Sequence, residues 1–260
     1  MQRGFSLVEL SIVLVILGLL TGGILAGQSL IRASELRAVS TEYQRYAAAV
    51  QTFRDKYFAI PGDFNGATRF WNRLNTNADC VSTHGLGVAG SPGACDGGGD
   101  GSINSAGGAG QSGDMHQFWR HLALSGLIEG SYSGLAGSGG GQHVEFSSNN
   151  APRSKLSNAG YGAMWLGVQD GTNSPFAGSY GNTLYLGGQH TSNVANVGVL
   201  KAEEAWNIDT KMDDGLPAIG KIRTLKSSFR LNCTTTDVPS TSVYDLVQTA
   251  LGCPLLLTNL

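Results

Sequence analysis

The order of apolar and polar positions divides the chain into three regimes. From Phe5 to Ile31 Glu9 is the one ionisable side chain in an otherwise apolar run. As a helix rising about 1.5 Å per residue, that run is long enough to cross a hydrocarbon core. From Leu36 the run gives way to a stripe. Leu36, Val39, Tyr43, Tyr46, Val50, Phe53 and Tyr57 recur at alternating steps of three and four, with Arg37, Glu42, Arg45, Arg54 and Asp55 mostly off the stripe. No proline interrupts residues 5–57, and Pro61-Gly62 ends the pattern. The periodicity predicts one continuous helix about 80 Å long, apolar all round in its first half and amphipathic in its second.

Beyond Pro61 the periods shorten. "YFAIPGDFNGATRFWN" (57–72) predicts a turn and a short amphipathic piece, with Phe64, Phe70 and Trp71 covering the base of the long helix. "DMHQFWRHLALSGLIEG" (114–130) predicts a helix capped by Asp114 and ended by Gly126, with Met115, Phe118, Trp119 and Leu122 on its apolar face. His116 and His121 do not share a face and read as surface or packing residues. "HVEFS" (143–147), "GAMWLGV" (162–168), "NTLYLGG" (182–188) and "GKIRTLKSSF" (220–229) alternate at strand period. They predict an antiparallel sheet against which the long helix packs, an α+β class.

Composition narrows the function. Charged residues make up 14% and the net charge is −2, so nothing favours nucleic acid as a partner. Half of the 38 glycines fall between Gly85 and Gly141. "GLGVAG" (85–90) and "GAGQSG" (108–113) match GxGxxG formally, but neither follows a strand, and chance matches are expected at that glycine density. GxSxG, HExxH and Walker A patterns are absent and the five histidines are scattered, so nothing points to an enzyme.

Four cysteines, Cys80, Cys95, Cys233 and Cys253, show no CxxC spacing and gather no histidines, which argues against zinc. Of the three pairings open to them, Cys80–Cys95 and Cys233–Cys253 close the shortest loops. On the chain-entropy account each contributes about 3 kcal/mol.

Two acidic groups are candidate calcium ligands. In "CDGGGDGSI" (95–103) Asp96 and Asp100 have the spacing of positions 1 and 5 of a calcium loop, with Gly101 at the turn. Gly98 and Gly107 stand at positions 3 and 12, which excludes an EF-hand and leaves a looser calcium turn or a solvated one. In "LKAEEAWNIDTKMDDGLPAIGKI" (200–222) a short helix through Trp206 runs into a turn with Asp209, Asp213, Asp214, Gly215 and Pro217. These three carboxylates repel one another unless Lys211, backbone amides or a cation offset them. Turn-capping aspartates are the alternative.

The start of the chain, "RG" followed by "FSLVEL" and "SIVLVILGLL", resembles the leader and cleavage site of type IV prepilins and type II secretion pseudopilins. The matched residues are Gly4, Phe5, Ser6-Leu7-Val8, Glu9 and the apolar continuation. In that family a membrane peptidase cuts after the glycine and methylates the new amine. The resemblance implies cleavage between Gly4 and Phe5, methylation of Phe5, and an assembly role for Glu9. It also implies a pilin-like fold with a leader at 1–4, a transmembrane and assembly half at 5–31, an amphipathic half at 32–57 and a head at 58–260. "D-x-K-x-D-D-G-x-P" is also similar to a segment of large pilin-like proteins with the same leader, and the loop bounded by Cys233 and Cys253 takes the place of their exposed C-terminal loop.

Many pilins carry a proline in the membrane half. This chain has none, and Gly18, Gly22, Gly23 and Gly27 provide sites for close helix approach or local melting. The resemblance implies a structural subunit of a pilus or pseudopilus. Its partners would be other subunits, the prepilin peptidase, an inner-membrane assembly platform and, before assembly, lipid. The precursor would lie in the bacterial inner membrane with its head in the periplasm, then pass to a periplasmic pseudopilus or a surface pilus. A minor pilin acting as adhesin or initiator is the first alternative. A soluble exported protein cut near Gly23 or Ala26 is the second, although neither position offers a good A-x-A pattern.

Overall fold

The computed structural model describes residues 7–74, 80, 92–105, 108–109 and 111–260. Helix α1 (Leu7–Tyr57) runs 51 residues without a break. It stops where Phe58 turns into the left-handed region (φ 52°) with its amide on the Arg54 carbonyl at 2.8 Å. Pro61 follows and cannot donate a helical hydrogen bond.

The second half of α1 lies on the head along the stripe. Val39, Tyr46, Ala49, Val50 and Phe53 are buried, and Leu36, Tyr43 and Tyr57 pack at the margin of the same core. The head contains α2 (Ala67–Trp71), α3 (Asp114–Leu124), a 3-10 turn (Phe146–Ser148), β1 (Gly160–Gln169), β2 (Gly178–Gly187), α4 (Ala202–Met212), β3 (Ile222–Arg223) and β4 (Leu255–Leu257). The strands form an antiparallel sheet in the order β1-β2-β4-β3. This is the α+β arrangement of a spine helix on a sheet-bearing head.

Aromatic packing joins the spine to the head. The Tyr46 ring meets Trp119 of α3 and Tyr161 of β1 edge-on, at centroid distances of 5.1 and 5.0 Å. Near the end of α1, Phe53 and Tyr57 gather Phe64, Trp71 and His121, with Phe70 at the rim. His121 is buried rather than superficial: Nδ1 accepts from Gly62 N at 3.0 Å and Nε2 donates to Cys95 O at 3.0 Å. Burial first, against the Cys95 hydrogen bond, lowers its pKa to about 3. It is a neutral cross-brace.

Some expected elements change form. "HVEFS" is not a strand, because its period-2 pattern supplies two anchors, Val144 and Phe146, to a 3-10 turn. Within 220–229 only Ile222–Arg223 pair in the sheet. Thr224 turns inward to donate its hydroxyl to Pro254 O at 2.7 Å. Asp114 does not cap α3. Gly113 is the N-cap, and Asp114 Oδ2 instead accepts from Asn104 N at 3.1 Å. The short apolar run Leu255–Leu257, wholly buried between β2 and β3, is a strand that alternation does not detect.

One polar residue sits inside the spine–head seam. Glu42 is buried, and its carboxylate accepts from Ser154 Oγ at 2.6 Å, Lys155 N at 2.9 Å and Tyr161 OH at 3.1 Å. Each donor left without a partner in such a seam costs about 1–3 kcal/mol. Glu42→Ala is expected to lower the unfolding free energy of the head by about 3 kcal/mol in a denaturant titration, and Glu42→Gln by roughly half as much.

Candidate functional site

Among the described residues, the first half of α1 finds no cover in the head. Leu7, Leu14, Leu19 and Leu25 are 86, 62, 72 and 68% exposed, and the segment is long and apolar enough to cross a membrane. Its hydroxyl groups are satisfied within the helix. Ser11 donates to Val8 O at 2.9 Å, Thr21 to Leu17 O at 2.9 Å and Ser29 to Ala26 O at 2.8 Å. A polar side chain that bonds its own backbone can enter lipid without an orphan donor. Among the described residues, a Cβ added at Gly18, Gly22, Gly23 or Gly27 would meet nothing within 4 Å, so no contact there demands their small size. Glu9 lies close to the start of the described part of α1. Gly4 and Phe5 lie outside the described residues.

Where the apolar run ends, α1 is clamped to the head. Arg32 makes a two-point contact with Glu204 of α4, Nε to Oε1 at 2.7 Å and Nη2 to Oε2 at 2.6 Å. It also donates to Glu35 Oε2 at 3.1 Å and to Val199 O at 3.0 Å. Burial opposes ionisation of Glu204, but the Arg32 hydrogen bond and charge outweigh it and hold the carboxyl below its ordinary pKa. Glu35 in turn accepts from the Ser157 hydroxyl. This planar fork fixes the angle at which the apolar half leaves the head.

The acidic turn after α4 brings three predicted residues together. Carboxylate oxygens of Asp209, Asp213 and Asp214 lie within 4.8 Å of one another. Asp209 is buried and accepts from Tyr244 OH at 2.8 Å and Gly215 N at 3.1 Å. Asp213 accepts from the Lys221 and Ile222 amides, and Asp214 from Leu216 N at 2.8 Å. Burial first, and then the Asp213 charge, raise the pKa of Tyr43 in α1. Such an oxygen set can hold a hard divalent cation. Burial first, and then the neighbouring carboxylates, push the Asp209 pKa up to about 7 against the Tyr244 and Gly215 bonds.

The glycine-rich turn is organised differently from its sequence pattern. Asp96 and Asp100 take separate partners: Asp96 accepts from Thr68 N at 2.7 Å and Thr68 Oγ1 at 3.1 Å, Asp100 from Ser102 N at 2.8 Å. The residue at the centre of the turn is Asp63, which accepts from the amides of Gly99, Asp100 and Gly101 at 2.6, 3.1 and 2.7 Å. The nearby "PGD" turn was the available signal for it. Asp114, buried beside Asp63 and Asp100, has its pKa pushed up to about 7, by burial first. Disulfides join Cys80 to Cys95 and Cys233 to Cys253.

Residues 1–25 match the family described as the prokaryotic N-terminal methylation motif. This is the prepilin-type cleavage and methylation signal of type IV pilins, and the match ends within the exposed half of α1. No curated protein matches the chain, and no solved structure matches it.

Asp114 and Asp209 hold their protons more tightly in the folded chain than the ordinary carboxyl near pH 4. Their contribution to stability is full below that range and is lost as pH rises through about 7. The thermal midpoint of the head is expected to fall between pH 5 and 8 in buffer containing a chelator, as read by circular dichroism. Asp209→Asn should flatten that slope; an unchanged slope would contradict the assignment.

Proposed function

We propose that this chain is a prepilin-type precursor. Prepilin peptidase cuts it between Gly4 and Phe5 and methylates Phe5, and the product assembles through α1 into a type IV pilus or pseudopilus-like filament. One observation carries this reading: the methylation motif stands at the head of a 51-residue helix whose first half is left exposed by the described residues of the head. Residues 5–31 hold the precursor in the inner membrane, 32–57 form the seam, and 58–260 lie in the periplasm as the head. The role is structural, in line with the subunits that carry this motif.

The chemistry of Glu9 supports the same reading. Taking a carboxylate to membrane depth is costly, so an ionisable residue there is ordinarily functional. Cleavage after Gly4 places a positive amine at nearly the same depth. In a filament the amine of a neighbouring copy neutralises Glu9 and selects one axial register, while the assembly platform delivers each subunit. The bulk of the head, with its disulfide-closed C-terminal loop, favours a pilin or a minor subunit over a major pseudopilin.

The intact mass and N-terminal sequence of the membrane-extracted protein test this reading. A chain beginning at methylated Phe5 is expected, and Gly4→Val should leave the uncut precursor. A start beyond Gly23 would overturn the proposal. Glu9→Leu is expected to be processed normally but to lower sheared filament yield at least about tenfold, the effect of losing one desolvated ion pair.

A further inference from the structure

At the end of the apolar run a cavity of about 660 Å³ opens between α1 and the head. Its lining includes Arg32, Arg153, Lys201, Glu204, Val197 and Leu251. Arg32 is the first cation after the apolar segment, so on the membrane-anchored reading this cavity lies beside the bilayer surface. Arg32 is already matched by Glu204 and Glu35. Arg153 and Lys201 are exposed and make no ion pair among the described residues. The Arg153 guanidinium lies 5.4 Å from the centre of the Phe146 ring, which also lines the cavity. Lys201 stands at the N-cap of α4, where its own amide donates to Glu204 Oε2 at 2.9 Å and its ammonium adds a cation at the mouth of the cavity. Val197 and Leu251, 38 and 56% exposed, add apolar surface beside these cations.

We propose that this cavity binds the phosphate headgroup of an anionic phospholipid in the leaflet from which α1 emerges. Three cations face two carboxylates there, counting Glu35, so a single phosphodiester charge balances the site. A zwitterionic lipid brings its own ammonium and leaves the excess unmatched. The apolar rim suits the glycerol and upper acyl carbons, which a free phosphate lacks. Lipid would then hold the head against the bilayer through Arg153 and Lys201, while Arg32 keeps its carboxylate partners. This inference rests on the membrane-anchored reading above.

Full-length protein in nanodiscs of phosphatidylcholine, with or without phosphatidylglycerol, tests it. The readouts are the lipids retained on extraction, by mass spectrometry, and amide exchange over 198–203. Phosphatidylglycerol is expected to be enriched over phosphatidylcholine and to slow exchange in that segment. Each basic side chain near an anionic surface is worth about fivefold, so Arg153→Gln/Lys201→Gln should lower the enrichment about 25-fold. Lys56→Gln/Lys221→Gln, the same charge change away from the cavity, should leave it intact. Equal retention in wild type and the cavity variant, or equal loss in the control pair, would overturn the proposal. Equal protection by inorganic phosphate in phosphatidylcholine discs would assign the site to free anions and overturn the lipid. A chain that stays out of the discs overturns the membrane reading and this proposal with it. One that enters without preferring phosphatidylglycerol overturns this proposal alone.

Discussion

A single helix that must satisfy two different solvents governs the architecture. More than a dozen large apolar side chains between Leu7 and Ile31 stand half or more exposed. At roughly 1.5–3 kcal/mol for each fully covered side chain, leaving them in water would cost on the order of 20 kcal/mol, more than a typical domain's net stability. The segment therefore needs lipid or other helices around it. The second half of the same helix meets the opposite demand, because its stripe supplies much of the core of the head. Arg32 and Glu42 hold the boundary between these regimes. Arg32 fixes the exit by pairing with α4, and Glu42 pins the seam to β1 and the 154–155 loop.

Polar groups within the head serve the same geometry. Asp63 ties the turn after α1 to the glycine-rich loop, His121 braces Gly62 against Cys95, and Asp209 holds the turn after α4 through Gly215 and ties it to Tyr244. Each is buried, and each uses at least two hydrogen bonds to offset its loss of water. The head has little regular secondary structure, and such tethers, with the two disulfides, take over part of what a larger sheet would provide.

The long helix was legible because its two halves carry strong, sustained patterns and no breaker. The N-terminal motif was legible because glycine, aromatic and glutamate hold fixed positions before an apolar run. β1 and β2 announced themselves through alternation and aromatic residues. Glu42 did not, since helical spacing places both it and Tyr43 near the stripe and charge alone suggested solvent. Its burial depends on donors more than a hundred positions away. β4 was missed because three consecutive leucines carry no period, and Asp63 because its ligands are amides of a loop that follows it by almost forty residues. Long-range polar pairing leaves little local trace.

The most direct measurement is a depth profile along α1. Nitroxide labels would be placed one at a time at Val15, Leu19, Leu25, Ile31, Arg37 and Thr52 of the full chain in lipid bilayers. Collision with oxygen and with a water-soluble nickel complex would then be compared. A helix divided as described predicts oxygen-dominated labels at Val15, Leu19 and Leu25, a crossover close to Arg32, and nickel-dominated labels at Arg37 and Thr52. Nickel access at Val15 or Leu19 equal to that at Thr52 would contradict the account.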